Sequence, residues 1–203
     1  MDDINMYPHP FVTVDVLIFT IDDKQLKLVL VKRNLDPFKD QWAIPGGFVR
    51  ESESVEDAAK RELFEETNIS DVFLEQLYTF GNLKRDPRGR VISIAYYALL
   101  PAPKMKLSAG TDASQASLFD VKDLPPLAFD HQVIVDYALD RLKAKIGYSS
   151  IAVNLLPDQF RLTQLQEIYE TILGEPQDKR NFRKKMLSLG LLEKIEGKLA
   201  YGS

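Results

Sequence analysis

The chain has 203 residues, room for one mid-sized domain plus a small one, and its 45% hydrophobic and 28% charged residues are those of a globular rather than a disordered protein. A formal net charge of −4 argues against a chain that coats nucleic acid over its whole surface, and the absence of cysteine excludes disulfides, thiolate metal sites and a cysteine nucleophile. With His9 and His131 the only histidines, a metal centre has to be built from oxygen ligands, which favours Mg²⁺, Mn²⁺ or Ca²⁺ over Zn²⁺.

In chain order, Phe11 to Ile21 and Gln25 to Arg33 are β-rich runs, and Asp22-Asp23-Lys24 between them reads as a hairpin turn. The acidic start, Asp2-Asp3, is unlike a basic leader, and no apolar run nears the roughly 20 residues of a membrane span. A cytoplasmic protein with no membrane partner is therefore expected. Trp42 to Ile44 is a short apolar stretch stopped by Pro45-Gly46-Gly47. A helix fits Val55 to Thr67, with Ser54 as N-cap and Asp57 in the reciprocal capping position. Val72 to Phe80 and Val91 to Leu100 read as strands around the polar loop of residues 84–90. Leu118 to Val121 suits another strand, and Phe129 to Lys145 a second long helix.

Gly147-Tyr148-Ser149-Ser150 reads as a linker, which divides the chain into domains at 1–147 and 148–203. Beyond it, Leu162 to Leu173 is helical, with Thr163 and Gln166 as the expected capping box and Gly174 as the stop. Asp178 caps a further helix running to about Leu189 and ended by Gly190. Glu193 to Tyr201 fits a short hairpin turning at Gly197. Helix, turn, basic helix and wing is the order of a winged helix. From Arg161 onward there are 8 Lys and Arg against 6 Asp and Glu, a local net charge of +2 that hints at a polyanionic partner.

On a wheel of about 100° per residue, the helix from Val55 places Val55, Ala58, Ala59 and Leu63 on one side. Glu62, Glu65 and Glu66 fall on that same side, whereas Glu56, Asp57, Lys60, Arg61 and Phe64 fall opposite. Three carboxylates at i, i+3 and i+4 repel one another. Such a stripe is either a solvated acidic face or, lying among small apolar residues, a partly desolvated one. The desolvated arrangement costs several kcal/mol per uncompensated charge, as an order of magnitude, unless a cation joins the groups.

Gly47, five residues, Glu53, seven residues and then Arg61-Glu62-Leu63-Phe64-Glu65-Glu66-Thr67-Asn68-Ile69 resembles the Nudix box, Gly-x5-Glu-x7-Arg-Glu-(apolar)-x-Glu-Glu-x-Gly-(apolar). Every charged position matches. The departure is Asn68 in place of glycine, and asparagine also adopts the left-handed conformation that ends helices. The resemblance implies an α+β fold, a Nudix α/β/α sandwich with a mixed sheet. It also implies a Mg²⁺ (or Mn²⁺) site in which Glu62 and Glu66 are the main ligands, Glu65 shares the site and the Gly46 carbonyl adds an oxygen. Glu53 and Arg61 would be a structural ion pair. The implied activity is hydrolysis of a nucleoside diphosphate linked to another moiety.

The segments Phe80 to Arg90 and Leu127 to His131 resemble ADP-ribose pyrophosphatases and their regulator relatives, which points to ADP-ribose or a similar nucleoside diphosphate sugar. Within the first segment, Arg85, Asp86, Arg88 and Arg90 are candidate substrate contacts; the alternative is a solvated charged loop. Asp112 is either an extra catalytic carboxylate or a plain turn residue. His131 reads as a capping or packing residue rather than a base. In the second basic helix, Lys179, Arg180, Arg183 and Lys184 are the candidate DNA contacts, with Phe182, Met186 and Leu189 facing inward. The alternative is a solvated helix packed on the first domain. The two-domain order resembles the Nudix-related transcriptional regulators, which implies a homodimer bound to double-stranded DNA. In many of those regulators the box charges are eroded, so the intact set here favours retained hydrolysis. Their wing continues into another basic strand, so a wing ending at Gly202-Ser203 is expected to weaken DNA binding.

Overall fold

The computed structural model describes residues 6–105, 107, 113–190, 192 and 195; Asp112 and most of the expected wing hairpin lie outside the described residues. Strands β1 (Phe11–Asp22) and β2 (Gln25–Arg33) form the expected hairpin, with Asp23 and Lys24 both at positive φ as a two-residue turn requires. Short strands β3 (Trp42–Ala43) and β4 (Gly46–Phe48) follow, then helix α1 (Val55–Thr67), β5 (Glu75–Phe80), β6 (Val91–Leu99), β7 (Ala113–Asp120) and helix α2 (His131–Ile146). The described strands join in one mixed sheet of order β3-β2-β1-β6-β5, with β4 added to β1 and β7 to β2. Among the described strands, β1 and β6 are the parallel pair, in register from Phe11↔Val91 to Phe19↔Leu99.

Two local differences from expectation have a tertiary cause. Strand β5 begins at Glu75 rather than Val72, because Val72 and Leu74 pack their side chains beneath α1 while the backbone is still unpaired. Strand β7 begins at Ala113, well before Leu118. Its polar first half carries no apolar alternation, but it pairs with β2 across a register shift between Lys32 and Arg33.

Strand β1 is buried on both faces, as its near-continuous apolar run demands. Val14, Val16 and Ile18 pack with Ala58, Ala59 and Leu63 of α1. Leu17 and Phe19 face the other way, onto Ile134, Val135, Ala138 and Leu142 of α2. The result is the α/β/α sandwich. Helix α1 has the expected bounds: Ser54 Oγ accepts from the Asp57 N–H at 3.1 Å, and Asn68 closes it at φ 60 with its N–H on the Phe64 carbonyl.

A short 3-10 turn at Ile151–Leu155 leads to helices α3 (Leu162–Leu173) and α4 (Lys179–Ser188). The cap of α3 lies one residue-pair earlier than expected, with the Arg161 N–H donating to Gln164 Oε1 at 2.8 Å. Thr163 lies inside the helix, and Gln166 instead bonds Glu170 and the Gln177 carbonyl. Leu165, Ile168, Tyr169 and Ile172 of α3 and Phe182 and Met186 of α4 belong to the same apolar core as Leu17, Phe19 and α2. Leu189, expected inside, is 39% exposed; it is the C-cap of α4, one residue beyond the helix end at Ser188.

Candidate functional site

The site forms where β1 changes partners. Residues Thr13 to Asp15 pair with β4, whereas Phe19 to Asp22 pair with β2 on the same edge. In the wedge between those partners opens a cleft of about 380 Å³, lined by Thr13 and Asp15, Arg33, Gly46 to Phe48, and Glu62 and Glu66 of α1.

The close seating of α1 on β4 explains the glycine pair. A Cβ on Gly47 would stand 2.3 Å from Glu62 Oε1, and one on Gly46 would stand 2.2 Å from the Val14 carbonyl oxygen. Only glycine lets the Glu62 carboxylate lie against the strand. Glu66 Oε2 accepts from the Gly46 N–H at 2.9 Å. The Glu62 side chain is 13% exposed, and burial pushes its carboxyl above the ordinary range, with the neighbouring Glu65 pushing the same way and Arg61 pulling back.

Arg61 departs from its expected place opposite the carboxylates. Its long side chain turns back over them and forks onto Glu53, Nε to Oε2 at 2.9 Å and Nη2 to Oε1 at 2.6 Å. Its Nη1 meets Glu62 Oε1 at 2.6 Å and Glu65 Oε2 at 3.2 Å. This brace, together with the Arg50 N–H, holds the Glu53 carboxyl down to about 2. Among the described residues no three acidic or histidine side chains gather into a ready-made cation cage. Glu62 and Glu66 line the cleft, and Glu65 stands at the rim, also 3.5 Å from Arg50 Nη2. An oxygen-only set, one member desolvated and packed into a cradle that a single Cβ would fill, suits a hard divalent cation.

Of the loop residues expected to meet substrate, Arg85, Asp86 and Arg88 reach the cleft. Arg85 is buried and already committed: it forks onto Asp130 at 3.1 and 2.9 Å and reaches Asp15 at 3.4 Å. Asp86 is buried beneath Arg88, which donates to it from Nε and Nη2. Arg90 instead donates to the Gly81 and Asn82 carbonyls and closes the loop base.

Sequence reasoning missed the buried polar floor. Asp15 accepts a short hydrogen bond from Ser93 Oγ, and its Oδ1 lies 3.5 Å from His131 Nε2. His131 Nδ1 accepts from the Ile44 N–H at 2.9 Å, and burial lowers the pKa of the imidazole. A lone carboxylate in the apolar run Val14-Asp15-Val16 was the available signal. Also missed were Arg33, Phe48 and Phe129. The Arg33 guanidinium lies 4.8 Å from the Phe129 centroid, and that of Arg88 lies 4.9 Å from Phe48 and 5.3 Å from Phe129.

On α4, Lys179, Arg180, Arg183 and Lys184 are all exposed, while Phe182 and Met186 are buried. None of the four takes part in an ion pair among the described residues. Asp178 caps the helix, its Oδ1 accepting from the Asn181 N–H at 2.8 Å. Cations in a first turn oppose the helix dipole, an arrangement with no internal benefit.

Comparison with known proteins gives a match to the NUDIX domain over residues 10–138 and to the NrtR DNA-binding winged helix domain over residues 152–203. The chain is 39% identical to the ADPR responsive transcriptional repressor NtrR of Acinetobacter baylyi over 94% of its own length and 77% of the repressor's. It is 44% identical to the ADP-ribose pyrophosphatase of Methanocaldococcus jannaschii over 65% of its own length and 75% of that enzyme's. The crystal structure of Shewanella oneidensis NrtR complexed with a 27mer DNA superimposes with a TM-score of 0.80 at 34% identity, covering 93% of this chain and 90% of that one.

Proposed function

Because this chain belongs to the Nudix family and carries an NrtR-type winged helix domain, we propose that it is a divalent-metal-dependent pyrophosphohydrolase. Its substrate on this reading is ADP-ribose or a related nucleoside diphosphate sugar, split to a nucleoside monophosphate and a sugar phosphate. The observation that carries the reading is the desolvated Glu62 carboxylate held against Gly47, with Glu66 beside it in the same cleft. The similarity to an ADP-ribose pyrophosphatase supports the choice of substrate.

Glu62, Glu65, Glu66 and the Gly46 carbonyl would hold Mg²⁺ or Mn²⁺. Bound there, the ion would neutralise phosphoryl charge and lower the pKa of a water molecule. Arg61 supplies positive charge to Glu62 and Glu65 and is itself held by Glu53. Arg88, backed by Asp86 and stacked on Phe48, offers a forked donor to phosphate oxygens. Arg85 and Arg90 act by holding the loop that carries Arg88. Asp112 remains a candidate further carboxylate. The test is AMP release from ADP-ribose with Mg²⁺ or Mn²⁺: Glu66→Gln should abolish turnover and leave the melting temperature within a few degrees. No AMP from the wild type, with either ion and across related nucleoside diphosphate sugars, refutes the assignment.

A second reading rests on α4, where Lys179, Arg180, Arg183 and Lys184 are exposed and take part in no ion pair among the described residues. On that reading Lys179, Arg180, Arg183 and Lys184 bind double-stranded DNA, and the Nudix cleft senses an ADP-ribose-type ligand. A homodimer would present two α4 helices to half-sites about one DNA turn apart. The similarity to an ADPR responsive repressor and to a DNA-bound relative supports this reading. The two activities are compatible, since their residues do not overlap.

A further inference from the structure

Two guanidinium groups share one aromatic ring in the cleft, and they are compensated differently. Arg88 is forked onto Asp86. Arg33, the last residue of β2, makes no ion pair among the described residues. Its Nε donates to the Pro37 carbonyl at 3.0 Å and its Nη2 to the Leu35 carbonyl at 3.2 Å, and its face rests on Phe129 at 4.8 Å. The group is half-buried; burial and the nearby Arg88 charge work against its ionised form, and the more distant carboxylates of Glu66, Asp86 and Asp36 work for it without pairing directly. A guanidinium carries five N–H donors, and backbone carbonyls take up two of them here. A partly desolvated cation whose direct hydrogen-bond partners are carbonyls keeps donors free for an anion that enters the cleft.

The cleft itself supplies the other half of the argument. Glu62 and Glu66 line it from α1, and Arg33 lines it from β2. The Thr13 hydroxyl, buried in the same lining, also has no hydrogen-bond partner among the described residues. Carboxylates that call for a metal and a forked donor without a direct ion pair among the described residues match, in one cavity, the two needs of a diphosphate. One part of its charge meets the ion, and the remaining non-bridging oxygens need donors in a plane.

We propose that Arg33 is a phosphate-binding residue, held in plane by Phe129 and the Pro37 and Leu35 carbonyls, that takes non-bridging oxygens of the substrate diphosphate. This deepens the hydrolytic reading and rests on it. Arg33 binds and orients; it moves no proton.

The experiment compares wild type, Arg33→Met and Arg33→Lys with three probes in the presence of Mg²⁺: ADP-ribose, inorganic pyrophosphate and adenosine. Affinities are read by calorimetry or inhibition, and hydrolysis is resolved into kcat and KM. Arg33→Met should weaken ADP-ribose and pyrophosphate about 10- to 100-fold, the range of a lost charge-assisted pair, and act mainly through KM. Adenosine, which has no phosphate, should bind as before. Arg33→Lys keeps the charge without the fork and should fall between the two, and it decides the matter if Arg33→Met fails to fold. Unchanged affinity for ADP-ribose in the variants overturns the proposal while leaving the hydrolytic reading intact. An equal loss for adenosine also overturns it, because Arg33 would then only shape the loop of residues 34–41. A wild type that neither binds nor cleaves ADP-ribose or related nucleoside diphosphate sugars is a different outcome, which removes the hydrolytic reading and this inference with it.

Discussion

Alanine at each of the two adjacent glycines of β4 should separate chemistry from folding. At Gly47 the new Cβ would lie 2.3 Å from Glu62 Oε1 and 2.5 Å from its Cδ. A relaxed contact needs about 3.5 Å, so the carboxylate must retreat by about 1 Å. It is the free end of a flexible side chain, and Gly47 is not at positive φ, so the backbone can stay. The loss is then a weakened hydrogen bond to Arg61, about 1–2 kcal/mol, or a few degrees in Tm. The rate should suffer more, because displacing a positioned group by about 1 Å costs on the order of 100-fold. At Gly46 the Cβ would lie 2.2 Å from the Val14 carbonyl oxygen, which cannot retreat without parting β1 from β4. Gly46→Ala should therefore destabilise by about 3 kcal/mol, at the upper end for overpacking. Thermal melting and kcat/KM for AMP release measure both. Wild-type kcat/KM in Gly47→Ala, or equal melting losses in the two variants, would refute the reasoning.

Other consequences follow from the brace, the shared core and the basic helix. Glu53 has a carboxyl held near 2 in the folded chain against an ordinary 4.5, so its stabilisation is present above the ordinary value and disappears as pH falls toward 2. Acid melting of the wild type should accordingly be steeper between pH 5 and pH 2 than that of Glu53→Gln, where the titrating group is gone. Phe182 is buried and packs edge-on to Tyr169 at 5.0 Å, inside the core shared with α2. Phe182→Ala should cost about 3–5 kcal/mol and lower a single calorimetric transition, because the helices it joins have no separate core; two resolved transitions would contradict that. Arg183→Ala should weaken duplex DNA binding similarly for all sequences if it meets phosphate, reduce the salt slope by about 1, and leave ADP-ribose turnover unchanged.

Much of the scaffold was legible in the chain because local rules and tertiary needs agree there. Helix α1 begins at a serine cap and ends at an asparagine that tolerates φ 60, as its sequence announces. The β1–β2 turn and the caps of α4 follow the same logic. Where local signal and tertiary demand part, expectation slipped. Strand β7 has no apolar alternation in its first half and exists because β2 offers it a ladder. Apolar side chains on either side of residues 147–150 close over one core, a packing that no local pattern reports. Arg61 lies opposite the carboxylates by wheel angle, but its side chain is long enough to reach back to them.

By itself the amino-acid sequence determined the periodicities, caps and turns, the family resemblance and the acidic helix face, since each depends on residues close together in the chain. It also separated the acidic first part from the basic second. Only the tertiary structure decided which charges answer which. Asp15, Ser93, Arg85, Asp130 and His131 come from distant segments and meet beneath the cleft. Arg33 and Arg88 come to share Phe129 across as many loops. The reason is physical: hydrogen-bond geometry and helix phase act over a few residues, whereas burial and Coulomb interactions act through space and become defined once the sheet has brought its edges together.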